Sequence, residues 1–318
     1  MRMLVLLFVL TAGVAPGADL QVAETAAAIT ITRGTIPVLT YHKAEVDPPE
    51  GVDPVFRRSG FIHPLCAPSG APVTGIHPKD HAHHLGLWHA WVKTGHGKDK
   101  PDFWNLRAKT GRVRHARTVS ILDSTTEDPA VGFVVEQEHV AYKGDDRKET
   151  VVLRELLEVK AEHDDGQNVV SYVIEQENVS GETLRLPAYR YGGGLAFRGP
   201  HDWDRTNSDY LTSEGLDRAN SHATRAKWVM MHGPTAKGVA AVAVLIAAGN
   251  RDFPNRIRTW PAKTNNGAVF FNVVPTQEHA WEIKPGEKAV MAYLLVVTDR
   301  KPAAGEVDAW WEAYAGKK

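Results

Sequence analysis

The chain has 318 residues, 43% apolar and 24% charged, with a net charge of −1. That length suits one large or two ordinary globular domains with a sizeable core. The near-zero charge excludes the basic excess that nucleic-acid and acidic-membrane partners usually demand, and no repeat or low-complexity tract is visible.

Taken in order, the chain opens with a targeting pattern. Arg2 is basic, Leu4–Leu10 is unbroken apolar, and Thr11–Ala18 is small and contains Gly and Pro. This pattern predicts a signal peptide, residues 1–18, with cleavage expected after Ala18. The apolar run falls short of the roughly 20 residues that a span requires, and no later stretch reaches that length. The mature chain, 19–318, is therefore expected to be exported to the periplasm or outside the cell, with no stable membrane span. Cys66 is the only cysteine, which rules out an intramolecular disulfide and any Cys-based zinc or iron–sulfur site. Its setting, Pro64-Leu65-Cys66-Ala67, suits core filling.

The mature chain reads almost entirely as strands. Ala28–Thr32 and Ile36–Tyr41 flank a turn at Gly34. Val55–His63 leads to the turn Pro68-Ser69-Gly70, and Leu85–Val92 looks extended. From Gly111 side chains alternate regularly, followed by strands over Val131–Tyr142, Glu149–Lys160 and Asn168–Asn178. Asp164-Asp165-Gly166 is a hairpin turn between the last two. Further strands fall within Leu184–Phe197, Arg225–Met231, Gly238–Ala247, Gly267–Val274 and Lys288–Thr298. Helical spacing appears over Ala304–Ala315, where Val307, Trp310, Trp311 and Tyr314 recur; this helix is expected to close one end of the sheets. About a dozen strands with frequent turns predict an all-β chain, a large antiparallel two-sheet β-sandwich with a short C-terminal helix, folded as one domain. The supersandwich of galactose mutarotases is one architecture of that size.

The chemical candidates start at His77–Trp91, which holds five of the fifteen histidines and two of the nine tryptophans. Imidazole titrates near neutral pH and ligates metals. On extended backbone His81 and His83 would share a side, with His84 opposite. Two such imidazoles and a carboxylate would suit a divalent iron, copper or zinc ion, with Asp80 orienting one ring. Tryptophans beside polar residues, Trp104 among them, are the usual surface for stacking a sugar ring. Tyr189–Arg198 carries three consecutive glycines, which allow close backbone approach, and Arg190 offers a planar fork to a carboxylate or to hydroxyls. Glu175 and Glu177 share a strand face and could act as paired carboxylates. Loops bearing Glu214 and His222 could wall a site.

Phe56–Leu65 with Pro68-Ser69-Gly70, Asp80–Trp88, Asp102-Phe103-Trp104, Gly193–Arg198 and Leu211–Gly215 together resemble the family labelled "methane oxygenase PmoA". The likeness runs over nearly the whole mature chain. It implies a secreted or periplasmic protein, oxygenase activity if the label is literal, and relatives set among carbohydrate-degrading proteins.

The reading that follows is an exported enzyme acting on a carbohydrate by histidine acid–base chemistry: isomerisation, elimination or hydrolysis. His83, His84 and Glu214 are the expected catalytic groups. Arg190, Tyr191, Trp104, His63 and His222 are the expected substrate contacts, and His81 with His83 the expected metal ligands. The alternatives are a metal-dependent oxygenase and a non-catalytic sugar-binding protein.

Overall fold

The computed structural model describes residues 20–125, 128–143 and 146–316; the segment expected to be a signal peptide, residues 1–18, lies outside them. Alternation along extended backbone decides the layout. In Val131–Lys143, Phe133, Val135, Gln137, His139 and Ala141 are buried on one face, while Glu136 and Glu138 pair with arginines on the other. The neighbouring strand repeats the pattern with Leu153, Glu155, Leu157, Val159 and Ala161.

Strands built this way form two large antiparallel sheets. One has nine strands, in the order Leu20–Glu24, Ala28–Arg33, Ile36–His42, Phe61–Leu65, Leu87–Trp88, Ala196–Arg198, Phe270–Val273, Asn255–Thr259 and Arg225–Ala226. The other has eight, in the order Asp209–Thr212, Trp228–Thr235, Gly238–Ile246, Lys288–Thr298, Gln167–Asn178, Lys148–Asp164, Val131–Lys143 and Gly111–Leu122. A small third sheet joins Trp281–Ile283, Leu184–Leu186 and Gly95–His96. The inner faces of the large sheets enclose a continuous apolar core, in which Tyr41 of one meets Phe133 of the other at 5.2 Å between ring centroids. The expected all-β antiparallel sandwich is thus the fold. At the predicted hairpin, Asp165 and Gly166 both take positive φ, 45° and 72°, as a two-residue turn of this kind requires.

The helix Ala304–Ala315 forms where its periodicity predicts, but it does not close an end. It lies on the outer face of the eight-stranded sheet, burying Val307 against Trp228, Met230, Ala243, Leu294 and Val296. The cause is the register: Trp228 faces Leu245, Met230 faces Ala243 and Ala243 faces Val296, so three strands present one apolar stripe outward. Trp228 Nε1 donates to Asp308 and Trp311 Nε1 to the Ile246 carbonyl, which hold the helix there. Among the described residues no helix is long and apolar enough to cross a membrane.

Candidate functional site

The histidine stretch is a tight turn rather than a strand. His81 N donates to the Pro78 carbonyl, His84 N to the His81 carbonyl and His77 N to the His84 carbonyl. Only Leu87–Trp88 of the expected Leu85–Val92 strand pairs in the sheet. The expectation that His81 and His83 share a side and His84 opposes them is therefore overturned. The turn gathers all three rings: His81 stacks on His84 at 4.9 Å, and His83 meets His84 edge-on at 4.7 Å.

His84 is the floor of this group. It stacks on Phe270 at 4.7 Å and is flanked by Trp88, Trp260 and Trp104 at 5.2, 5.5 and 6.4 Å. The Nε1–H groups of Trp88, Trp104 and Trp260 are buried and have no hydrogen-bond partner among the described residues. Burial, reinforced by the charges of His83 and Arg198, pushes the His84 imidazole well below its ordinary pKa. Burial, with the charges of His81 and Arg58, brings His83 down to about 3. Both rings are neutral at neutral pH.

One wall is electrostatic. Arg198, buried at the end of its central strand, clamps Asp80 with two guanidinium N–H donors, at 2.9 and 3.0 Å, and lies 5.0 Å above the Trp260 ring. Asp80 Oδ2 also lies 3.1 Å from His81 Nδ1. Burial alone would raise the Asp80 carboxyl, but the hydrogen bonds from His81 and Arg198 outweigh it and hold the group well below the usual carboxylate range. An ionised Asp80 accepts from Nδ1–H and so fixes the tautomer that carries a lone pair on Nε2 of His81.

The opposite wall is Trp104 with Tyr191, ring centroids 5.7 Å apart. Asp102 shapes that loop by accepting from the Trp104 and Asn105 backbone N–H groups and from the Asn105 side chain. Asn105 in turn accepts from the Tyr191 hydroxyl at 3.2 Å. The glycines before Arg198 serve packing. A Cβ on Gly193 would stand 2.1 Å from the Trp91 ring, and one on Gly194 would stand 2.3 Å from the Val273 carbonyl.

Of the residues expected from sequence, the fold brings together His81, His83, His84, Trp104 and Tyr191, with Arg190 at the rim, 5.5 Å from the Tyr191 ring. His222 is a neighbour of this group: its Nδ1 bonds the Thr259 carbonyl, next to Trp260, and Arg258 acts on its charge. His63 is turned away, bonding Thr74 Oγ1 among His42, His77 and His201. Glu214 lies on an exposed turn that follows Asp209–Thr212; its carboxylate accepts from the Ser213 hydroxyl, and the turn is tied to Trp228 and Lys227. Glu175 faces outward and pairs with Lys288. Arg198, Phe270 and Arg258 carry no local sequence signal of a site, whereas Trp260 is one of the tryptophans that lie beside polar residues in the chain. Arg198 ends the Gly193–Arg198 motif, but its partner Asp80 is 118 residues away.

His81 and His83 belong to neither of the groups of three or more ligating side chains found among the described residues. One group is Asp252, Glu278 and His279, all on the surface side. The other is His89, His139 and Glu155, fully buried between the sheets. There the Gln176 amide nitrogen already lies 2.7 Å from His89 Nε2, 2.7 Å from Glu155 Oε2 and 3.1 Å from His139 Nε2. Trp91 Nε1–H donates to Gln176 Oε1, which keeps the amide's donor side toward the three. This geometry is that of a hydrogen-bonded polar core.

No curated protein matches the chain. Similar solved structures include an α-galactosidase from Lactobacillus brevis, at 11% identity and a TM-score of 0.38, covering 88% of this chain and 39% of that one. A polysaccharide lyase aligns at 12% and 0.36, covering 89% and 33%. A candidate mutarotase from Salmonella typhimurium aligns at 9% and 0.41, covering 89% and 94%. The chain spans about two fifths of the galactosidase and one third of the lyase. The family label suggested by the sequence motifs is corrected by the family model that does match, which carries no oxygenase assignment. Over residues 28–312 the chain belongs to a family of unknown function, DUF6807.

Proposed function

We propose that the chain is an enzyme that holds a sugar ring in the His81–His84 box and moves a proton on it. The observation that carries this reading is the accessible pair of His81 and Asp80, side chains 35% and 25% exposed, seated over the buried His84 and against Trp260. A base must be reachable by its substrate, and the C–H face of a sugar packs on aromatic surface beside polar groups. His81, with Nδ1–H held by Asp80, presents Nε2 as the base, and Asp80 stabilises the imidazolium that results. His83 stays neutral and accepts a hydroxyl hydrogen. Asp80 is committed to Arg198 and His81, and Asp102 to its own loop, which favours isomerisation or elimination over hydrolysis by paired carboxylates. The apolar N-terminal run is in keeping with a substrate met outside the cytoplasm.

The test is a panel of sugars followed by tryptophan fluorescence and by NMR in D2O. The expected result is saturable binding, with solvent deuterium entering one carbon position of a bound sugar in the wild type and not in His81→Ala. Binding without exchange or turnover would reduce the protein to a sugar-binding one, and no binding by any sugar would remove the reading altogether.

A further inference from the structure

Beside the box, two guanidinium groups share one aromatic ring. Arg258 lies 4.9 Å from the Tyr191 ring centroid and Arg190 lies 5.5 Å from it; Arg190 also reaches Tyr189 at 6.0 Å. Tyr191 packs on Trp104, and the Arg258 charge acts on His84, so the pair belongs to the same space as the histidines. Neither arginine has a carboxylate within ion-pair reach among the described residues. Elsewhere in the chain, arginines that cluster share an acid: Arg225 and Arg256 both hold Glu278, and Arg117 and Arg154 both hold Glu136. Asp102, the acid that acts on Tyr191, is spent on its own loop. Burial and the like charge of Arg190 both work against the Arg258 cation. Two uncompensated guanidinium groups at a site rim are unfavourable alone and become favourable when an anion enters, and their planar forks match an oxyacid.

We infer that the site takes an acidic sugar, its carboxylate or sulfate group held by Arg190 and Arg258 while the ring lies in the histidine box. This rests on the sugar reading and narrows it to a substrate class. The ligand is an oligosaccharide rather than a single ring. A groove of about 850 Å³ runs on from Asn105 and Tyr189, which both touch Tyr191; its lining carries four basic side chains, Lys93, Lys98, Lys100 and Arg185, against three acidic ones, Asp99, Asp102 and Glu282. Lys93 stands 5.6 Å over the Tyr189 ring, the next cation along the path.

The test uses the full mature chain and matched pairs of short oligosaccharides by calorimetry. Uronate oligomers of different stereochemistry are each compared with their carboxyl-reduced neutral forms, and sulfated oligomers with their desulfated forms. The acid form should bind at least about tenfold more tightly than its neutral partner, the scale of one charge-assisted contact. That ratio should fall toward one in Arg258→Gln, and in Arg190→Gln, whose exposed site tolerates substitution without loss of the fold. Whether the uronate or the sulfated arm carries the preference names the anion. If acid and neutral forms bind alike, or if both variants keep the wild-type ratio, the inference fails and the sugar reading stands. If no oligomer of either kind binds, the sugar reading fails with it.

Discussion

Asp80→Asn removes one negative charge from the wall of the histidine box and leaves the shape nearly unchanged. In the native chain both Asp80 oxygens accept an Arg198 N–H, and Oδ2 lies against His81 Nδ1. The Arg198 side chain is 3% exposed and that of Asp80 is 25% exposed. Deleting one partner of a fully buried pair costs about 3–5 kcal/mol, because the remaining charge is stranded. Water reaches Asp80, and asparagine keeps one carbonyl acceptor, so the cost here should be about 2–3 kcal/mol. The pH dependence follows from the depressed carboxyl. Its contribution is complete above the unfolded value of about 3.9 and is lost as pH falls toward the lower folded value. The gap between wild type and variant should therefore hold from neutral pH to about pH 5 and narrow below about pH 4. Urea unfolding at several pH values, with equal slopes for the two proteins, measures it. A gap below about 0.5 kcal/mol at neutral pH, the range of ordinary surface changes, would refute the clamp, as would a gap that widens in acid.

The neutral histidines give a second signature. The His83 and His84 ring signals should hold still in NMR from pH 8 to 5, whereas a titration near pH 6.5 at either would contradict their burial. An imidazole kept neutral in the fold and protonated when unfolded withdraws stability as pH drops below about 6.5. For His84 and His89, both 2% exposed, that is about 1.4 kcal/mol per pH unit each, and flat stability from pH 7 to 5 would refute it. Gln176→Leu keeps the volume of the buried rung but strands the Trp91 N–H and removes one of two partners of Glu155 Oε2, leaving His139 Nε2 at 3.0 Å; a loss of about 2–3 kcal/mol is expected in urea melts, and a loss under about 0.5 kcal/mol would mean that the amide does not hold this core together. Gly193→Ala should cost about 3 kcal/mol or more, because φ is +91° and the new methyl meets the Trp91 ring; a neutral result would show that the segment has room to shift.

Local rules carried a large part of the structure. Period-two alternation marked the long strands, the Asp165-Gly166 turn marked their hairpin, and helical spacing marked Ala304–Ala315, because each signal lies within neighbouring residues. The density of histidine marked the box for the same reason, and placed His81, His83 and His84 in it with Trp104 nearby. Short strands such as Leu20–Glu24, Asp209–Thr212 and Asn255–Thr259 escaped, since four or five residues carry too little pattern and their partners are distant in sequence. Side-chain direction in the histidine turn escaped too, because the chain folds back on itself there and the alternation of extended backbone does not apply. Tertiary structure alone decided that Arg198 reaches across 118 residues to Asp80 and that Trp260 and Phe270 complete the box. It also aligned Glu155 opposite Gln176 in the core. Each of these depends on which strands pair and in what register. That choice minimises exposed apolar surface and unsatisfied buried polar groups over the whole chain at once, so no single stretch of residues contains it.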